Sequence, residues 1–356
     1  MTSNISPKIL ELTQRKLLLK PHHPLSILKQ KIYEFFHRNY PNTFTTEDNF
    51  DPKVPVKNNF DLLLIPENHP SRSLSDTYYF DPDTVLRTHT TAHDFYMLSK
   101  YNAFLLAGDV YRRDEIDAKH YPAFHQLEGG RVWKLSELGL STYEQGTKYA
   151  VEELKTTLES LAKEVFGNVE MRWNEEYFPF TDPSLELEIR WMDDWLEILG
   201  CGAYKKQVLL NAGRDEETFG WAFGLGLERW AMKVFEIPDI RLFWTQDERF
   251  TTQFSAEKGF SKFTPYSKYP VCYKDISFWV PEFFAENDFF EVVRNVGGDL
   301  VEKVDKIDCF TKNGRTSYCY RINYRSMDRS LTNEEIDQLQ FQLRDLLPKQ
   351  LSVELR

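Results

Sequence analysis

Between residues 104 and 130 the chain reads FLLAGDVYRRDEIDAKHYPAFHQLEGG, two apolar stretches joined by a polar loop. Side chains alternate faces along a strand. Phe104, Leu106, Gly108, Val110, Arg112 and Asp114 therefore fall on one face of the first stretch. Phe124, Gln126 and Glu128 share a face of the second, with His125 and Leu127 opposite. Such a face makes a poor core, because buried polar groups need partners. It suits a ligand floor: a ring for a flat base, a guanidinium that grips phosphate in a fork, a carboxylate for an ammonium. Pattern alone serves a half-solvated hairpin with ordinary surface charge equally well.

A second stretch breaks the tie. Residues 220–235, GWAFGLGLERWAMKVF, run from a strand of small residues into an amphipathic helix. Gly224 and Gly226 stand where a backbone approaches something closely. Glu228 and Arg229 open the helical segment, and Leu227, Trp230, Ala231 and Val234 follow at helical spacing.

These residues carry a resemblance. Arg112 to Asp114 followed by FHQLE resemble motif 2 of the class II aminoacyl-tRNA synthetases, and GLGLER at 224–229 resembles their motif 3. Within that class, RTHTTAH at 87–93, HYPAFHQLEG at 120–129, YFPF at 177–180 and IPDIRLFW at 237–244 are similar to phenylalanyl-tRNA synthetases, most of all the single-chain mitochondrial type. The similarity runs from about residue 55 to the C-terminus.

The resemblance implies ATP-dependent ligation of phenylalanine to tRNA(Phe) through a phenylalanyl-adenylate, in mitochondrial protein synthesis. Positioning and charge stabilisation dominate such chemistry, and no side-chain nucleophile is required. Arg112 and Arg229 are the implied catalytic pair: Arg112 on the α-phosphate and the amino-acid carboxylate, Arg229 over the adenine and towards the terminal phosphate. Phe124 stacks under the adenine. Asp114 stands where the family commonly has Glu, and Lys119, His120 and Tyr121 belong to the loop over the nucleotide. Glu197 is the implied contact for ATP or its Mg2+, the other reading being a strand-edge carboxylate with an arginine partner. For phenylalanine the resemblance implies His89, Thr91, Ala92, His93 and Asp94, then Gln126, Leu127 and Glu128, with Glu128 on the ammonium. Phe178 and Phe180 face the substrate ring, and Ala222 and Phe223 form the back of the pocket. No tightly bound cofactor is expected.

Composition is compatible with this. The 356 residues suffice for two domains, and 15% are aromatic. A net charge of −11 excludes a blanket polyanion binder, so any RNA contact must be local. Cys201, Cys272, Cys309 and Cys319 show no C-x-x-C spacing and read as reduced thiols. All eight histidines precede residue 126, without metal-site spacing. No apolar run reaches the length of a membrane span. The first 31 residues carry Lys8, Arg15, Lys16, Lys20, Lys29 and Lys31 against Glu11 alone. That fits an organelle-targeting segment or a helix packed on the body, and the resemblance points to the mitochondrial matrix.

The elements that must position these residues give an α+β chain: a predominantly antiparallel sheet flanked by helices, then a smaller unit. A helix is expected at 24–40, an irregular connection at 41–60, a helix within 84–102 and a long helix at 141–166 closed by Gly167. Strands are expected near 169–178, 185–191 and 195–200. Beyond 263, a strand at 269–280, a helix at 286–304 capped by Asn287 or Asp288, strands at 305–312 and 316–327 around Asn313-Gly314, a helix at 333–347 and a strand at 351–356 make a ferredoxin-like βαββαβ order. The division is residues 1–55, an N-terminal extension and helix; 56–250, catalytic; 251–262, linker; 263–356, which in this family binds the anticodon. Acidic residues slightly outnumber basic ones in that last unit, leaving Lys312, Arg321, Arg325 and Arg329 as local RNA contacts. A monomer is expected. The competing reading is a catalytically silent RNA-binding relative, which would have no reason to keep all the arginines and carboxylates.

Overall fold

The computed structural model describes residues 3–265 and 269–356. Its strands are β1 (Thr45–Glu47), β2 (Lys53–Pro55), β3 (Tyr79–Asp81), β4 (Thr84–Leu86), β5 (Ala103–Tyr111), β6 (Ala123–Lys134), β7 (Met171–Glu176), β8 (Thr181–Trp191), β9 (Asp194–Tyr204), β10 (Thr218–Gly226), β11 (Cys272–Trp279), β12 (Val301–Lys312), β13 (Arg315–Tyr324) and β14 (Glu354–Leu355). They form a seven-stranded sheet, β1-β5-β6-β10-β9-β8-β7, a four-stranded sheet, β12-β13-β11-β14, and a small sheet, β2-β4-β3. In the large sheet β1 joins β5 in parallel and the other neighbours are antiparallel.

One face of that sheet is core. Leu105, Leu127, Trp221, Phe223 and Leu225 pack there against helices Pro24–Asn39, Tyr143–Phe166 and Leu227–Val234. Burial of each large side chain contributes roughly 1.5–3 kcal/mol. Thr142 and Gln145 form a reciprocal cap at the start of the long helix, and Gly167 ends it with φ 79°. The basic N-terminal stretch belongs to the same core: Ile9, Leu17, Leu18, Leu25 and Leu28 are buried in it, and Lys29 pairs with Asp48.

Several expectations are corrected. Residues 41–60 are not irregular: β1 extends the large sheet and β2 pairs with β4. Three-residue strands are too short to show a period. The helix expected within 84–102 is confined to Asp94–Lys100, after strand β4 and a 3-10 turn, Thr90–His93. Strand β8 starts at Thr181 despite Pro183, with a register shift between Thr181 and Ser184.

In the C-terminal unit the order β11, helix Glu286–Gly297, β12, β13, helix Asn333–Leu351, β14 is the expected one. Asn313 and Gly314 both have positive φ, 52° and 75°, as a two-residue hairpin turn requires. The first helix stops at Gly297 rather than 304, with Gly298 at φ 54°, and β12 begins at Val301. Its N-cap is Ala285, not Asn287 or Asp288. Those two side chains face the larger unit instead: Asp288 pairs with Arg113 at 2.9 Å, and Asn287 donates to Arg113 O.

The two units are bolted together through the loop that joins β5 to β6. Ile116 from this loop is buried in the apolar core of the C-terminal unit beside Ile276, Phe289 and Val301. Arg294 donates to Asp114 O at 2.8 Å, Val304 N to Ile116 O at 2.9 Å, and Tyr78 to the Glu291 carboxylate at 2.8 Å.

Candidate active site

The exposed end of the hairpin and the start of the 227–234 helix meet on the other face of the large sheet. Arg112 follows directly on β5. Its Nε donates to Thr88 O at 2.7 Å, and its guanidinium lies 5.2 Å from the centre of the Phe124 ring. The side chain is open to solvent yet densely surrounded by protein, as at the floor of a cavity. Burial lowers its pKa, Asp114 opposes that, and Arg229 lowers it further. Two arginines and a carboxylate therefore converge.

Arg229 is held by a bolt on the opposite face. Glu228 accepts from His125 N at 2.8 Å and contacts His125 Nδ1 at 2.7 Å, both side chains buried. This fastens the helix to β6, and the adjacent Arg229 comes close enough for its charge to act on Arg112. Arg229 pairs with Glu197 at 2.9 Å, the arginine partner named in the second reading of that carboxylate. Glu186 lies beside it, its pKa raised first by burial and then by Glu197 and its acidic neighbours.

Next along β6 is the amino-acid end. Gln126 Oε1 accepts from Thr90 N at 3.2 Å. Glu128, 3% exposed, accepts on Oε2 from Thr90 at 2.7 Å and Thr91 at 2.9 Å. Its Oε1 is buried without a protein partner. Asp94 is fully buried, takes a hydrogen bond from Tyr204 at 2.8 Å, and leaves Oδ1 unpartnered. Both ring nitrogens of His89 are likewise buried and unpartnered, and burial followed by Arg112 pushes its pKa down to about 3. A neutral imidazole and two carboxyl oxygens that lack donors are costly groups in a fold. They are what a polar ligand would satisfy.

The floor between them is made of small residues. Across the strands Glu128 faces Gly224, which faces Gly200, and Ala222 lies between Gly130 and Gly202. A side chain added at Gly224 would meet nothing within 4 Å, whereas one at Gly200 would strike the Phe178 ring at 2.8 Å. Phe178 and Phe180 sit on the turn between β7 and β8 rather than on a strand, their rings stacked at 6.0 Å. Ala222 is buried in the cluster of Phe104, Leu106 and Tyr204, with Phe180 packed against it.

Five residues named from the sequence are not brought to this floor. Leu127 and Phe223 point into the opposite core, where Phe223 stacks on Phe36 at 5.7 Å. Ala92 lies in a small cluster with Val54, Tyr79 and Val85. His93 stacks on Phe50 at 4.6 Å and bonds Arg87. Tyr121 stacks on Trp244 and donates to Asp299 at 2.7 Å, in the contact between the two units. Lys119 and His120 are exposed on the loop, and His120 contacts Asp117 at 2.8 Å. Sequence reasoning missed Thr90, Tyr204 and the His125–Glu228 bolt. Thr90 lay inside a quoted motif, while Tyr204 reaches the site only through the pairing of β9 with β10.

Comparisons with known proteins agree with this architecture. The family model described as tRNA synthetases class II core domain (F) matches residues 10–254, and the ferredoxin-fold anticodon binding domain matches 267–356. A phenylalanine–tRNA ligase of Arabidopsis thaliana, named chloroplastic/mitochondrial, is 54% identical over 100% of this chain and 83% of its own length. The mitochondrial phenylalanine–tRNA ligase of Mus musculus is 45% identical over 99% of this chain and 86% of its own. That of Saccharomyces cerevisiae is 41% identical over 100% and 92%. With its class II core and ferredoxin-fold anticodon-binding domain, this chain belongs to the mitochondrial phenylalanine–tRNA ligases.

Proposed function

We propose that this chain joins phenylalanine to the adenylate of ATP on the floor bounded by Arg112, Phe124, Glu128 and Arg229, then passes the acyl group to the terminal ribose of tRNA(Phe). The observation that carries this reading is the unpartnered Glu128 Oε1 beside the open space over Gly224. It is a buried acceptor waiting for a donor, next to room for a ring. Glu128, with Asp94, Gln126 and Thr91 around it, takes the ammonium. His89 offers a neutral N–H near the carboxylate. Phe178 and Phe180 flank the ring, where each edge contact is worth about 0.5–1.5 kcal/mol. Phe124 and Arg229 sandwich the adenine. Arg112 meets the charge that grows on the α-phosphate as the carboxylate oxygen attacks and pyrophosphate leaves. Asp114 stays beside Arg112, and Lys119 and His120 attend the phosphates from the loop.

A divalent cation, Mg2+ in this reading, accompanies ATP. Glu186 and Glu197 fit it: burial first and then the neighbouring carboxylates, Glu197 foremost, raise Glu186, and a cation relieves both. When bound it would neutralise polyphosphate charge. Phenylalanine-dependent exchange of pyrophosphate into ATP tests the reading, and folded protein without that exchange would overturn it. The chain acts as a monomer in the mitochondrial matrix, divided near 251–262; light scattering checks the assembly.

Ala222 bears on specificity. Belonging to the apolar cluster that Phe180 packs against, it limits room at the ring's para position. An apolar wall rejects an added hydroxyl weakly. Ala222→Gly is expected to raise kcat/KM for tyrosine about tenfold or more relative to phenylalanine, measured by exchange with each amino acid. An unchanged ratio would argue against this placement.

For the anticodon, the open face of the second sheet is the better platform. Arg321, Arg325 and Arg329 are already paired with Asp275, Glu302 and Glu335. On the same face Trp279 lies 6.4 Å from Phe310, with Arg356 at 5.7 Å from the Trp279 ring and Arg315, itself paired with Glu354, at 5.1 Å. Such rings and guanidinium planes stack single-stranded bases. Trp279→Ala is expected to raise the KM for tRNA about tenfold and leave pyrophosphate exchange intact. An unaltered KM would count against this face.

A further inference from the structure

Two acids share the amino-acid end of the site. Asp94 and Glu128 are neighbours: Thr91, three residues before Asp94 in the turn that leads into it, donates to Glu128 at 2.9 Å, and the Glu128 charge adds to burial in raising Asp94. Asp94 Oδ2 is held by Tyr204 and Glu128 Oε2 by Thr90 and Thr91, while Asp94 Oδ1 and Glu128 Oε1 have no protein donor. Both groups are buried to 3% exposure or less. Two neighbouring carboxyls in so dry a place disfavour the doubly charged state, and each has one oxygen free to share a proton. The groups around them do not supply one. Tyr204 from β9 already donates to Asp94, Gln126 from β6 turns its oxygen to Thr90 N, and His89 is neutral. Arg87, after β4, is spent on Asp109 at 2.8 Å and on His93, although its charge still favours ionised Glu128. Gly224 on β10 contributes no side chain.

We propose that Asp94 and Glu128 hold one proton between them before phenylalanine arrives, and that the substrate ammonium displaces this proton to solvent and takes its place. The inference rests on the amino-acid site proposed above and adds a linkage to it. The balance is simple. One carboxyl O–H bond breaks, the proton goes to the buffer, and the ammonium keeps its three protons. The pair carries one negative charge beforehand, and pair plus ammonium carries one afterwards. An ammonium with its N–H donors satisfies both orphaned oxygens at once, which a single proton does less completely. The site thereby selects an α-amino acid over a deaminated acid of the same shape.

The sign follows from linkage. Burial, and for Asp94 also Glu128, raises the acids above the ordinary carboxylate range. Below the pair's titration the ammonium must expel a proton, so phenylalanine affinity falls with acidification, approaching about tenfold per pH unit. Above it, no proton is expelled and affinity levels off. 3-Phenylpropionate lacks the ammonium and has nothing to displace the proton with. It should bind without that loss.

Titration calorimetry of the full chain, at one pH in buffers of different ionisation enthalpy, counts protons released per ligand bound. Phenylalanine is expected to release up to one proton on the acid side of the pair's titration, and 3-phenylpropionate none. Asp94→Asn keeps the acceptor for Tyr204 and leaves Glu128 a single carboxylate, so whatever phenylalanine affinity remains should be measured without proton release. Phenylalanine binding with no buffer-dependent heat from roughly pH 5 to 8 would overturn the proton exchange alone, and so would equal release by 3-phenylpropionate. No heat for phenylalanine in folded protein would overturn the amino-acid site as well.

Discussion

Gly224→Val should fold as the parent does and lose phenylalanine activation, by at least about 100-fold in kcat/KM for the amino acid. Gly224 lies inside β10, opposite Glu128 on one side and Gly200 on the other. Its φ is not in the left-handed region, and an added Cβ has nothing within 4 Å. A β-branched residue suits a strand, and removing a glycine reduces the freedom lost on folding. The melting temperature should hold or rise. The new methyl groups would project over the floor between the free Glu128 oxygen and Phe178, where the substrate Cα and ring must lie.

A companion substitution separates crowding of the ligand from damage to the fold. At Gly130 a Cβ would sit 2.6 Å from the Phe104 ring and the Tyr204 hydroxyl, both buried. Gly130→Val should therefore destabilise by overpacking, roughly 1–3 kcal/mol. A Gly224→Val enzyme with normal kcat/KM would show that phenylalanine binds elsewhere.

What was legible in the sequence follows from range of interaction. The β5–β6 hairpin was readable because period-two alternation put Arg112, Phe124, Gln126 and Glu128 where a core strand would be apolar. The same alternation sends Leu127 and Phe223 to the core face, and a resemblance that treats a motif as a contiguous block overrides it. Ala92 and His93 went astray for a related reason. They lie in a 3-10 turn, whose three residues per turn direct neighbouring side chains apart, so Thr91 faces Glu128 while His93 faces Phe50. The C-terminal order was legible because Asn313-Gly314 punctuates it as a hairpin turn. Its docking was not, since contact between units has no period. The one local sign was Ile116, a lone large apolar residue in a charged loop, and it is buried in the other unit's core. Tyr204 gave no sign at all, because its place beside Asp94 depends on strands that are distant in the chain.

Arg112→Lys should cost nearly as much as Arg112→Ala, about 100- to 1,000-fold in the rate of pyrophosphate exchange. The reason lies in how the guanidinium is used. Nε is engaged with Thr88 O and the plane lies over Phe124, which leaves the terminal fork to span the α-phosphate and the attacking carboxylate. A lysine keeps the charge but has no Nε to anchor it and no fork to bridge two anions. Charge alone is already supplied nearby by Arg229, whose repulsion works against Arg112. Were bulk positive potential the requirement, lysine would rescue most of the rate. If directed contact at the reacting oxygens is the requirement, the loss appears in kcat more than in the KM for phenylalanine, because the interaction strengthens as charge builds towards the transition state. Rapid-quench measurement of adenylate formation distinguishes the two. A lysine variant within about tenfold of the parent would reassign the α-phosphate to another residue.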